Sequence, residues 1–97
     1  MNWKVKALEE KGELITQEGG NSMLPIIKSH QKHKLKACKW EDCVVDDIVF
    51  CHVAGRFITH KVHAKNALRG LQIGNNRGYI NGWTRKVFGK VVEIYKD

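Results

Sequence analysis

Short β-prone runs follow one another along most of this chain, each closed within a few residues by glycine, asparagine or aspartate. That rhythm restricts the fold more than any other feature of the sequence. Residues 13–17 (ELITQ) end at Glu18-Gly19-Gly20. Residues 33–38 alternate polar and apolar side chains, the period of a strand with one buried face. Residues 48–51 and 57–62 flank Ala54-Gly55-Arg56, which predicts a hairpin with glycine at its turn. Residues 67–73 and 87–95 supply further strands, and Val44-Val45 is a shorter β-prone pair ahead of Asp46-Asp47. Residues 74–82 (GNNRGYING) read as a turn-rich loop. Residues 3–8, with Trp3, Val5, Ala7 and Leu8, fit a strand or a helix equally well. The expected fold is all-β: a single small barrel-like or two-sheet domain covering residues 1–97. A chain of 97 residues is long enough for one core and too short for two.

No apolar run approaches the roughly 20 residues needed to cross a bilayer, and residues 1–11 mix Lys and Glu into their apolar positions. A soluble, cytoplasmic protein without a membrane anchor is expected. The formal charge of +7 favours an anionic partner, and much of it lies in Lys28, Lys32, Lys34, Lys36 and Lys39. No aromatic interrupts that stretch before Trp40, so a base-stacking surface is not indicated and a solvated face fits better. Cys38, Cys43 and Cys51 make an odd count, which points to a reducing compartment. His30, His33, Cys38 and Cys43 could supply two nitrogens and two sulfurs to zinc. Their spacing is looser than that of common zinc ribbons, and the plain alternative is cysteines packed as small hydrophobes. The sequence implies no cofactor.

The only proline, Pro25, stands three residues after Ser22, behind Gly19-Gly20. A serine nucleophile needs a tight exposed turn, a nearby base and backbone N–H groups for the oxyanion. Glycines allow the turn, and Pro25 fixes the backbone after it. His60 is the candidate base. Histidine titrates near neutrality and needs no burial to be free base at pH 7, unlike lysine. Lys61 falls on the opposite strand face from His60.

Five segments occur in order: Gly20-Asn21-Ser22-Met23-Leu24-Pro25, Asp46-Asp47-Ile48-Val49-Phe50, Ile58-Thr59-His60-Lys61-Val62, Gly74-Asn75-Asn76 and Gly89-Lys90-Val91-Val92. The series resembles the serine peptidase superfamily of signal peptidases and LexA-type self-cleaving proteins, whose motifs run G-x-S-M-x-P, G-D-I-V, h-x-(H or K)-R-V, G-D-N and G-K-V. Histidine in place of lysine resembles the archaeal and endoplasmic-reticulum signal peptidases, and His60 follows Ser22 by 38 residues, about their interval. The resemblance implies a serine endopeptidase with the signal peptidase or LexA carboxy-terminal fold. Ser22 would be the nucleophile and His60 the general base, with Gly20, Met23 and Pro25 lining the substrate cleft. The substrate would be an extended protein segment, with small side chains near the scissile bond. A chain this compact suits a phage or prokaryotic processing system.

Two positions depart from that pattern. The family's G-D-N-N loop supplies one aspartate and, six residues on, a second that orients the histidine. Here Asn75 and Asn81 stand in those places. Asparagine can accept an imidazole N–H but cannot balance an imidazolium. The resemblance therefore implies Asn81, with Asn75, as weaker orienters of His60. The alternative is a weakened or inactive domain that binds protein or nucleic acid through its basic segment. Gly20 also replaces a hydroxyl residue that some relatives use in the oxyanion hole.

Overall fold

A computed structural model of the chain describes residues 2–20, 23–24 and 26–96. Among the described residues, seven strands and one short helix account for the regular structure: α1 (Trp3–Lys11), β1 (Glu13–Thr16), β2 (His33–Ala37), β3 (Ile48–Val53), β4 (Arg56–Asn66), β5 (Gly70–Gly74), β6 (Ile80–Thr84) and β7 (Val87–Ile94), with a 3₁₀ turn at Trp40–Asp42. All strands join one antiparallel sheet in the order β1-β2-β7-β3-β4-β5-β6. The chain is all-β, as its turn rhythm predicts. It builds one continuous sheet rather than two, because β7 pairs with both β2 and β3 and so bridges the halves.

The ambiguous amino-terminal run is a helix. Asn2 caps it by accepting the Lys4 N–H at 2.9 Å, and Gly12 closes it at φ 77° with its N–H on the Leu8 carbonyl. Val5 and Leu8, three apart, bury the helix against Leu35 and Phe50. Close approach is possible because β7 carries Gly89. A Cβ there would lie 3.0 Å from the Lys36 carbonyl oxygen and 3.2 Å from Leu8 Cδ1. The glycine of the Gly89-Lys90-Val91 motif therefore eases the packing of the helix on the sheet.

The other face of the sheet curls onto a second core of Cys43, Val49, Cys51, Val53, Val62, Leu71 and Ile73. The curl brings β6 back towards β3, although β4 and β5 lie between them in the sheet. Thr84 Oγ1 donates to the His52 carbonyl at 2.6 Å, and the His52 N–H bonds the Lys86 carbonyl at 2.9 Å. The expected β3–β4 hairpin is present, with Ala54 (φ 51°) and Gly55 (φ 76°) both left-handed at its turn.

Three expectations need correction. Residues 74–82 are not one loop: the turn ends at Tyr79 and β6 begins at Ile80, pairing with β5 from Gly74↔Ile80 to Leu71↔Thr84. Residues 67–69 form a turn, since Asn66 Oδ1 accepts the N–H groups of Leu68 and Arg69 and ends the strand. Val44 and Val45 also lie outside any strand, because Asp47 Oδ2 caps Val44 N–H at 2.9 Å. Among the described residues no helix is long and apolar enough to cross a membrane.

Candidate active site

His60 sits midway along β4, paired with Val49 of β3. Ile58 and Val62, two residues to either side, point into the curled core, so alternation sends the His60 imidazole to the same face. Curling of the sheet brings Asn81 of β6 to that ring, and His60 Nδ1 lies 2.9 Å from Asn81 Oδ1. An amide oxygen only accepts, so Nδ1 carries the proton in this bond. A general base facing a serine hydroxyl needs that tautomer.

Asn75 takes a different place. Its Oδ1 accepts the N–H groups of Arg77 at 2.8 Å and Tyr79 at 3.0 Å, which builds the β5–β6 turn. Its carbonyl oxygen meets His63 Nε2 at 2.8 Å. The side chain is occupied in shaping the turn, so the structure gives it no part in orienting His60. Gly74 is required beside it: a Cβ would come 2.4 Å from the Tyr79 oxygen and 2.9 Å from the His63 ring. Asn76, which the motif names without a role, donates from Nδ2 to the Leu24 carbonyl at 2.9 Å. The Gly74-Asn75-Asn76 stretch thus straps the segment that follows Ser22 to the sheet.

Ser22 and Pro25 lie outside the described residues. Their neighbours are defined. Gly20 and Met23 both line a cleft of about 230 Å³, whose opposite wall is residues 56–60 of β4, including His60. Met23 and Ile27 are buried, and the Ile27 N–H donates to the Met23 carbonyl at 2.9 Å. The loop is pinned at its base: His30 N–H donates to the Glu18 carbonyl at 2.7 Å, and Gly20 N–H to Ser29 Oγ at 3.1 Å. Gln31 Nε2 anchors its foot to the Tyr95 carbonyl at 3.0 Å.

Glu18 is a second residue that the sequence did not single out. Its carboxylate accepts the Thr59 hydroxyl, lies 3.5 Å from Lys4 Nζ of α1 and 3.8 Å from His33 Nε2. His33 is buried, with Nδ1 3.1 Å from the Gln31 carbonyl. Among the described residues its Nε2 has no hydrogen-bond partner, and the residue lines the same cleft. No local pattern marks Glu18, because its role depends on β1 and β4 meeting across the cleft.

The remaining candidates disperse. Lys61 pairs with Asp46 at 3.2 Å, and Asp47 caps the turn before β3, so neither aspartate is at His60. His52 packs on Phe57 with ring centroids 4.6 Å apart. The zinc set is not assembled: Cys38 and Cys43 meet at one end of β2, whereas His33 starts the strand at the other. Among the described residues no group of three His, Cys, Asp or Glu side chains could hold a metal ion. In the basic segment Lys34 pairs with Glu13 at 3.1 Å, and Lys28, Lys32, Lys36 and Lys39 are exposed along the length of β2 and its flanks. No protein-family model matches the chain, and no curated protein matches its sequence.

Proposed function

We propose that the chain is a serine endopeptidase of the signal peptidase and LexA type, with Ser22 as nucleophile and His60 as general base. The observation that carries this reading is the His60 Nδ1–Asn81 Oδ1 bond of 2.9 Å, made by a histidine that lines the same cleft as Gly20 and Met23. His60 Nε2 takes the Ser22 hydroxyl proton as oxygen attacks the scissile carbonyl. Backbone N–H groups around Ser22 hold the oxyanion. The imidazolium then protonates the leaving amine, and a water deprotonated by the same nitrogen hydrolyses the acyl-enzyme.

The substrate lies extended in the cleft between residues 17–20 and β4. A bound strand would pair through main-chain hydrogen bonds with the residues that line the cleft, Glu18 to Gly20 on one side and residues 56–60 on the other. Asn81 fixes the base tautomer but carries no charge to stabilise the imidazolium, so turnover is slow relative to a Ser-His-Asp site.

The test is cleavage of a peptide library by the wild-type chain, Ser22→Ala and His60→Ala, with products read by mass spectrometry and folding checked by circular dichroism. Wild type should cleave and both folded variants should not. Equal cleavage by all three, or by none, removes the enzyme reading in favour of a binding domain.

A further inference from the structure

Cys38 and Cys43 bracket the 3₁₀ turn Trp40–Asp42, and their sulfurs lie 3.6 Å apart as free thiols. Both ends of this segment are fixed. The Cys38 N–H bonds the Phe88 carbonyl of β7 at 3.2 Å, and the Cys43 N–H bonds the Trp40 carbonyl at 3.1 Å. Between them, Lys65 Nζ of β4 reaches the carbonyls of Glu41 and Cys43, each at 2.7 Å, and lies over the Trp40 ring. The backbone is thus held in a form that already places sulfur against sulfur. A disulfide needs the two atoms only about 1.5 Å closer, within reach of side-chain rotation.

We propose that Cys38 and Cys43 are a modification site, converted by peroxide to an intramolecular disulfide. The two thiols differ in the way such a reaction requires. Cys38 is half-buried, and Cys43 is fully buried with its Sγ 3.5 Å from the Lys39 carbonyl. The hydrogen bond between the two sulfurs lowers the Cys38 pKa, with help from the charge of Lys90. The same bond holds the proton on Cys43. Cys38 is therefore the attacking thiolate and Cys43 the resolving thiol.

The Cys38 thiolate attacks one oxygen of hydrogen peroxide and the O–O bond breaks, giving a sulfenic acid and, after protonation, water. Cys43 sulfur then displaces the hydroxyl from Cys38 sulfur, and its proton leaves with that hydroxyl as a second water. In balance, two thiols and one peroxide give one disulfide and two waters. Cys51 is an internal control: it is buried on β3, and burial pushes its thiol up to about 12, so it stays reduced.

The experiment is a peroxide titration of the folded chain followed by intact mass and tryptic mapping. Wild type should lose about 2 Da, reversibly with dithiothreitol, through a disulfide that links residues 37–39 to residues 40–56. Cys51→Ala should lose the same mass, because residues 40–56 contain both Cys43 and Cys51. Folded Cys38→Ser should lose none, and folded Cys43→Ser should accumulate a dimedone-trappable sulfenic acid at Cys38. Over-oxidation of wild-type Cys38 with no 2 Da loss overturns the proposal. So does an unchanged mass, or a disulfide that needs Cys51 or a second chain. The wild-type and Cys51→Ala measurements decide the matter even if either serine variant fails to fold.

Discussion

In the proposed mechanism one bond at His60 would divide two duties that an aspartate would combine. The amide oxygen of Asn81 sets the tautomer, as a carboxylate would, but a neutral group gives little to an imidazolium. The two contributions can be separated by substitution. Asn81→Asp should raise kcat by about 10-fold or more, since an opposite charge at hydrogen-bond distance favours the protonated ring. Asn81→Ala should lower kcat by about 10-fold or more, because the ring loses its orienting acceptor. Steady-state rates on the best library peptide check both. A gain in the alanine variant, or no change in either, would remove Asn81 from the positioning role.

The strand elements of this chain were legible in outline because half-buried strands write their period into the sequence. Residues 33–38 show it, while 48–51, 57–62 and 87–95 read as β-prone runs between turn residues, and all four fall almost wholly on strands. β6 escaped notice because Asn81 and Gly82 look like more of the preceding turn; only its pairing to β5 makes a strand of Ile80–Thr84. The helix escaped for the opposite reason. Val5 and Leu8 are too few for a period, and docking on Leu35 and Phe50 decides the conformation. At the site, His60 and Asn81 could be named from motif spacing. Glu18 and Asn76 act across 41 and 52 residues of sequence, to Thr59 and Leu24, and no local signal reports such a contact.

Asn76 carries a prediction at this scale. Its amide is a strap from the β5–β6 turn to the residue two beyond Ser22. Removing it in Asn76→Ala costs about 1 kcal/mol of local stability. Amide exchange should rise within residues 17–31 with little change in the global unfolding midpoint, and kcat should fall with it. Unaltered exchange in that segment would mean that the strap does not hold the loop.

Over the whole molecule the buried thiols set an alkaline limit. Burial raises Cys51 from an ordinary value of 9.0 to about 12. Between those values the unfolded chain has released a proton that the folded chain keeps, so stability is full below about pH 9 and falls as pH rises towards 12. The loss from this group approaches about 4 kcal/mol at most. Denaturation midpoints taken at pH 8, 9, 10 and 11 should decline for wild type and decline less for Cys51→Ala. Parallel slopes would show that the decline comes from other groups.

The curl that carries β6 back to β3 has its own consequence. His60 stands on an interior strand and Asn81 on the rim, so their meeting depends on a sheet that stays rolled. Rim strands are the first to fray on warming, well before the centre melts. On the proposed reading a heated sample would then lose cleavage while its β spectrum was still intact, and activity would serve as a thermometer for one edge of the sheet.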